Sequence, residues 1–167
     1  MMNLTRYLLC GAAVALFTLP VPAQSGPLEA GGESPYLDDR STATDVIHSL
    51  YNAINRGEYL RAWSYFRDEA QPDFETYAEG FADTESVRLS VGEEMAEGAA
   101  GTTYWTVPVA IETQHADGTT QVFAGCYTLA QPNPAIQATP PFSPITIREG
   151  ALAAVDAPLE DAVPNAC

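Results

Sequence analysis

Between Ala43 and Phe81 apolar residues recur at helical spacing in three successive runs, and from Val87 onward they fall at every second position. The change of period from 3.6 to 2 sets helices first and strands after. Ala43, Val46, Ile47, Leu50, Tyr51 and Ile54 form one stripe, with Thr42 as N-cap, Asp45 as its capping-box partner and Gly57 at the C-terminal turn. A second helix starts at Glu58 and shows Tyr59, Ala62, Trp63 and Phe66 on one face. A third starts near Pro72 and shows Phe74, Tyr77, Ala78 and Phe81.

Val87, Leu89 and Val91 then read as a half-buried strand, and the acidic stretch 93–101 as a loop. Trp105, Val107, Val109 and Ile111 alternate along a second strand, in which Pro108 demands an edge or a bulge. Asp117-Gly118 marks a hairpin turn. The returning strand, 119–129, is apolar on both faces: Phe123, Tyr127 and Leu129 on one, Val122, Ala124 and Cys126 on the other. It is therefore central, with Gly125 predicting a bulge or bend. The Pro-rich stretch 131–144 is a loop long enough to cover something, and 144–155 makes a last strand or a tight hairpin. Helices segregated from a run of antiparallel strands give an α+β domain.

The N-terminus reads as a secretory signal peptide: Arg6, an apolar run from Leu8 to Leu19, and Val21-Pro22-Ala23 as a cleavage site near Ala23. That run is too short to span a membrane, and no later stretch qualifies. The predicted organisation is a signal peptide 1–23, a flexible tether 24–41 rich in Gly and Pro, a domain 42–155 and an aperiodic acidic tail 156–167. The exported part carries six arginines, no lysine and 22 acidic residues, a formal charge of −16. Such a field repels phosphate backbones and excludes nucleic acid as a partner. The location is periplasmic or secreted, an oxidising compartment in which Cys126 and Cys167 are a candidate disulfide. Pairing would stabilise by roughly 4 kcal/mol in the chain-entropy model.

The run Ser49-Leu50-Tyr51-Asn52-Ala53-Ile54-Asn55-Arg56-Gly57-Glu58-Tyr59, followed by Ala62-Trp63-Ser64-Tyr65-Phe66, resembles the NTF2-like superfamily, whose first helix recurrently ends in Tyr-x-x-x-Asn-x-Gly-Asp/Glu. The resemblance spans Thr42 to Val155 and implies an exported, bacterial-type member. It implies three helices packed in the concavity of a strongly curved antiparallel sheet, an NTF2-like cone. It also implies that the mouth of the cone is either an active site or a binding site, and that two copies can pair through the open sheet face.

Two functional readings follow. In the first the domain is non-catalytic and binds a small apolar or cationic ligand, or a protein partner in the cell envelope. Its pocket candidates are Tyr51, Tyr59, Trp63, Tyr77, Trp105, Phe123, Tyr127 and Phe142, with the Pro-rich loop as lid. In the second it is a small isomerase or lyase of the ketosteroid-isomerase-like type, with Tyr51 as hydrogen-bond donor and Asp73, Glu75 or Glu112 as base. The first is preferred. Tyr51 stands one residue out of the enzyme branch's register, and after Phe66 the chain enters another helix where that branch has an acid-bearing strand. His48 shares a helix row with Asp45 and Asn52, and His115 sits beside the hairpin turn; both read as solvent-facing residues. Two dispersed histidines and no close-spaced cysteines predict neither a metal site nor a cofactor, and no Gly-rich phosphate loop or nucleophile elbow occurs.

Overall fold

Thr42 begins the helical layer: its side chain accepts the amide of Asp45 at 3.0 Å while its hydroxyl donates to the Asp45 carboxylate at 2.6 Å. The computed structural model describes residues 34–67 and 71–167. The expected signal peptide and residues 24–33 of the expected tether lie outside the described residues, as do Glu69 and Ala70 of the joint between the second and third helices. Helix α1 spans Ala43–Asn55, and all six residues of the apolar stripe are buried, together with Ser49 and Ala53. It closes with the Gly57 amide on Ile54 O and the Glu58 amide on Ala53 O, the paired bonds of a Schellman motif. Helices α2 (Tyr59–Trp63) and α3 (Phe74–Glu79) are shorter than their apolar patterns predict. The aromatics that extend those patterns, Phe66 and Phe81, still pack on the core from the turns beyond.

The strands are β1 (Thr84–Val91), β2 (Met95–Ala99), β3 (Thr102–His115), β4 (Thr120–Pro132) and β5 (Thr146–Val155). They form one antiparallel, open, curved five-stranded sheet in the order β1-β3-β4-β5, with β2 also paired to β3. The α+β class is thus observed, and β4 is interior. Within the expected loop 93–101, residues Met95–Ala99 are corrected to a strand. All five residues of β2 are exposed, so neither face needs apolar residues and no period marks the strand. Its backbone ladder to β3 holds it instead. Strand β3 is interior despite Pro108. The missing amide hydrogen falls opposite the break between β1 and β2, where Gly92 donates to Pro108 O at 2.8 Å. Gly125 marks no bulge. A side chain there would collide with the backbone of Ala151 on β5, so the glycine permits a close strand approach. The bulge lies at Arg148, where Thr128 pairs with Glu149 and Leu129 with Ile147, and β5 is one strand rather than a hairpin.

Cross-strand partners share a face, so Val107, Tyr127, Trp105 and Leu129 look toward α1, and Pro108 and Cys126 look away from it. Asn55 joins the two layers at one end, accepting Val87 N at 2.7 Å and donating to Val87 O at 2.8 Å. Two expectations of loose chain need revision. Residues 34–41 are a bound strap rather than a tether. Asn52 takes Leu37 N and Pro35 O, Ser49 takes Asp39 N, and Arg61 donates to Leu37 O. The Tyr65 hydroxyl donates to Asp38 at 2.7 Å. Burial alone would raise the Asp38 carboxyl, but that hydroxyl and the Arg40 guanidinium outweigh it and hold the group below its ordinary range. The polar groups that satisfy this strap give it no sequence period.

The acidic tail likewise carries helix α4 (Leu159–Ala162), whose Leu159 is buried, and its last residue forms the disulfide Cys126–Cys167, with Cα atoms 6.0 Å apart. Val163 lies over Gly92 and Pro108, on the sheet face away from α1. Among the described residues no helix is long and apolar enough to cross a membrane.

Replacing Asn55 with Ala removes both bonds to Val87, and we expect a loss of about 2 kcal/mol in urea unfolding. An unchanged midpoint would show that β1 needs no such staple. Reducing the disulfide opens a sequence separation of 41 residues. Reduction should cost roughly 4 kcal/mol in the chain-entropy model and speed amide exchange in α4 before β4. Exchange that speeds equally in both would refute local release of the tail.

Candidate functional site

Between α1, α3 and the sheet lies a cavity of about 350 Å³, the size of a small-ligand site. Each wall follows from a local period. Helix α1 presents Leu50, Tyr51 and Ile54, and Tyr77 and Phe81 come from successive turns at and beyond α3. Strand β3 presents Ile111, Thr113 and His115, every second residue, and β4 presents Phe123 and Tyr127. Gly150 closes one side. A Cβ there would come within 2.5 Å of the Tyr127 ring, so glycine lets that ring lie across β5.

The cavity is apolar except for three phenols and a polar mouth. The Tyr51 and Tyr127 hydroxyls are 2.8 Å apart, their rings edge to face at 6.4 Å. The Tyr77 hydroxyl is buried and has no hydrogen-bond partner among the described residues, while its ring packs edge-on against Phe66 at 5.7 Å and Phe81 at 5.2 Å. Burial pushes all three phenols above their ordinary range, Tyr51 and Tyr77 well above it. Proximity to Tyr127 raises Tyr51 and Tyr77 further, and the hydrogen bond with Tyr51 partly offsets the rise at Tyr127. All three are therefore neutral hydrogen-bond donors across the physiological range.

At the mouth, Thr113 donates to Gln121 O at 3.1 Å and lies 3.2 Å from His115 Nε2. With the threonine proton committed, a neutral His115 donates from Nε2 and leaves Nδ1 as an acceptor. His115 also borders a polar depression of about 630 Å³ beside Asp83 and Asp117. There the hydrogen bonds from the Thr119 hydroxyl and amide hold the Asp117 carboxyl below its ordinary range. It is the β3–β4 turn seen from outside, and its polar groups largely satisfy one another.

Of the aromatic candidates, Tyr51, Tyr77, Phe123 and Tyr127 line the cavity and the other four do not. Tyr59 stacks on the back of Phe81 at 5.6 Å. Trp63 donates to Pro72 O at 2.8 Å and packs against Phe74. Trp105 pairs across from Leu129, away from the cavity-lining stretch of β3, and Phe142 is exposed. The Pro-rich loop leaves the end of β4 at Pro132, beside Thr102, whereas the cavity lies toward Thr113 and His115. It covers a different end of the sheet and is no lid for this site. Sequence reasoning overlooked Thr113 and read His115 as a solvent-facing turn residue, although extending the alternation two steps beyond Ile111 points to both. The carboxylates considered as a base lie elsewhere. Asp73 caps α3 and is exposed, Glu75 is exposed, and Glu112 pairs with Arg88 at 2.7 Å on the other sheet face. His48 is exposed, and no group of three or more metal-ligating side chains occurs among the described residues.

A phenol whose folded pKa is raised contributes stability that is complete below the unfolded value of about 10 and is lost as pH climbs through the folded value. In protein carrying isotope-labelled tyrosine, we therefore expect the ring signals of Tyr51, Tyr77 and Tyr127 to stay neutral in base until the chain unfolds. Ionisation of any of them in a folded molecule would mean the cavity is open to water. Compared with protein-family models and with curated proteins, the chain matches none.

Proposed function

We propose that this chain is an exported, non-catalytic domain that holds a small, uncharged and largely apolar ligand bearing one hydrogen-bond acceptor. The buried, partnerless Tyr77 hydroxyl carries this reading. An unpaired polar group of this kind costs about 1–3 kcal/mol, and a ligand acceptor in the cavity would recover it. The remaining wall is aliphatic and aromatic, which favours an apolar body. No carboxylate lines the cavity among the described residues, so a neutral ligand is preferred to a cation. Export rests on the signal-like N-terminus and agrees with the Cys126–Cys167 disulfide.

Membership of the NTF2-like superfamily, with its cone, remains part of this proposal. It is supported by the order of helices before strands and by the role of Asn55, the asparagine of the resembling motif, in tying α1 to β1. The isomerase alternative has lost its three named bases to other surfaces, although Tyr51 lines the cavity. Pairing through the outer sheet face competes with α4 and the tail, which occupy part of it.

Native mass spectrometry of protein purified from its own envelope will report any retained ligand. Acetophenone and ethylbenzene, which differ by a carbonyl oxygen, separate the acceptor requirement from simple apolar filling. Ligand-observed NMR should show acetophenone binding about tenfold more tightly, one hydrogen bond's worth. Tyr77→Phe should erase that preference while leaving the empty protein as stable or more so. Equal affinity for the two probes, or a preference that survives the substitution, would remove the acceptor from the proposal.

A further inference from the structure

The aromatic cavity has a second polar end, which an acceptor bound at Tyr77 leaves unused. Thr113 and His115 of β3 line its mouth. We infer that His115 selects a ligand carrying a hydroxyl at its outer end, which rests on the cavity holding a small neutral ligand as proposed above. The occupant is then an elongated apolar molecule with an acceptor at one end and a hydroxyl donor at the other.

Register keeps the two ends apart. Tyr127 stands level with Val107 and Phe123 with Ile111, whereas Thr113 is paired with Gln121 and His115 lies past it, opposite Thr84. Tyr51 and Tyr77 belong to the Tyr127 end. The first shares a hydrogen bond with Tyr127, and the second packs on Phe66, which bridges to Ile147 beside Leu129. An extended strand advances about 3.3 Å per residue, which sets Ile111 and His115 roughly 13 Å apart. The wall between the two ends is Ile111, Phe123, Leu152 and Ile54, side chains without a polar atom.

The two ends also make opposite demands. At the inner end the Tyr77 hydroxyl is a donor without an acceptor among the described residues. At the mouth the Thr113 hydroxyl gives its proton to Gln121 O at 3.1 Å, so across the 3.2 Å to His115 it accepts from Nε2. A neutral imidazole protonated at Nε2 has a bare lone pair at Nδ1, and among the described residues no donor meets it. The carboxylates that border His115 in the outer depression, Asp83 and Asp117, are acceptors themselves, and the Thr119 hydroxyl is committed to Asp117. A hydroxyl brought by the ligand fits this nitrogen, and no carboxylate lines the cavity to favour an ammonium group in its place.

The test uses acetophenones bearing a para hydroxyl carried on none to three methylenes, each paired with its methyl ether, which keeps the oxygen and cannot donate. They are titrated into the intact, oxidised protein at pH 8, where an imidazole is neutral, by ligand-observed NMR. At the length that reaches His115 the alcohol should bind about tenfold more tightly than its ether, one hydrogen bond's worth. In protein carrying nitrogen-15 histidine, that alcohol should shift the Nδ1 signal of His115 and the ether should leave it in place. His115→Phe should abolish the preference for the alcohol while keeping the preference for acetophenone over ethylbenzene, and Tyr77→Phe should do the reverse. Loss of the acetophenone preference alone would remove the acceptor and leave the role of His115 standing. Equal binding of alcohol and ether at every length, a preference that survives His115→Phe, or an unmoved Nδ1 signal would each overturn the assignment to His115.

Discussion

Strand β4 is apolar on both faces, and that constraint arranges the molecule around it. A strand with Phe123, Tyr127 and Leu129 on one side and Val122, Ala124 and Cys126 on the other cannot leave either side in water without losing roughly 1.5–3 kcal/mol for each large side chain exposed. The helical layer covers the first side. The second is met by Leu159 and Val163 of the tail and by the disulfide at Cys126. Two adjacent residues therefore face the two halves of the structure: Tyr127 forms the floor of the cavity, and Cys126 is the anchor for the last segment of the chain.

The cavity remains because aromatic rings are stiff and its walls are held apart by contacts outside it. Asn55 fixes the end of α1 to β1, and the Phe66 bridge fixes the chain after α2 to β5, so the helices cannot settle further onto the sheet. A core filled with aliphatic side chains would close such a gap at little expense. Three phenols resist this, since each hydroxyl needs a partner when buried; two satisfy each other and the third does not. Stability and binding then draw on the same group. What the empty protein loses at Tyr77 is what a ligand can recover.

Features with a hydrophobic period were legible in the sequence, and features made by polar contacts were not. The α1 stripe and the two-faced pattern of β4 could be read because burial selects apolar residues at a fixed interval. The strap 34–41 could not, because its order comes from Asn52, Ser49, Arg61 and Tyr65, residues equally at home on a wet surface. Strand β2 was hidden for the related reason that a strand exposed on both faces has only its backbone to recommend it. At the cavity, spacing found Tyr51, Tyr77, Phe123 and Tyr127, but aromatic identity alone could not separate them from Trp63, which packs on Phe74, or Trp105 beyond the cavity. That separation depends on which end of a strand a residue occupies, a property of register rather than of composition.

The scarcity of positive charge makes its placement informative. Arg56 and Arg61 both bind Glu58, and Arg61 also reaches the strap, so these two arginines knit the α1–α2 corner to residues 34–41. Arg40 lies over the Tyr65 ring at 4.3 Å, in the same corner, and Arg88 crosses to Glu112 on the outer face. A strongly acidic chain gains little from surface ion pairs taken singly, each worth about 0–1 kcal/mol, so solubility does not explain why its few cations cluster. Three of them organise one corner through hydrogen bonds to carbonyls and hydroxyls as much as through charge. Arg67 and Arg148 stand apart from that corner, brought together by a β-bridge and a bulge rather than by a helix face. Backbone irregularities of that kind weaken a sheet, and a fold retains them where they put a side chain in a position that regular pairing would forbid.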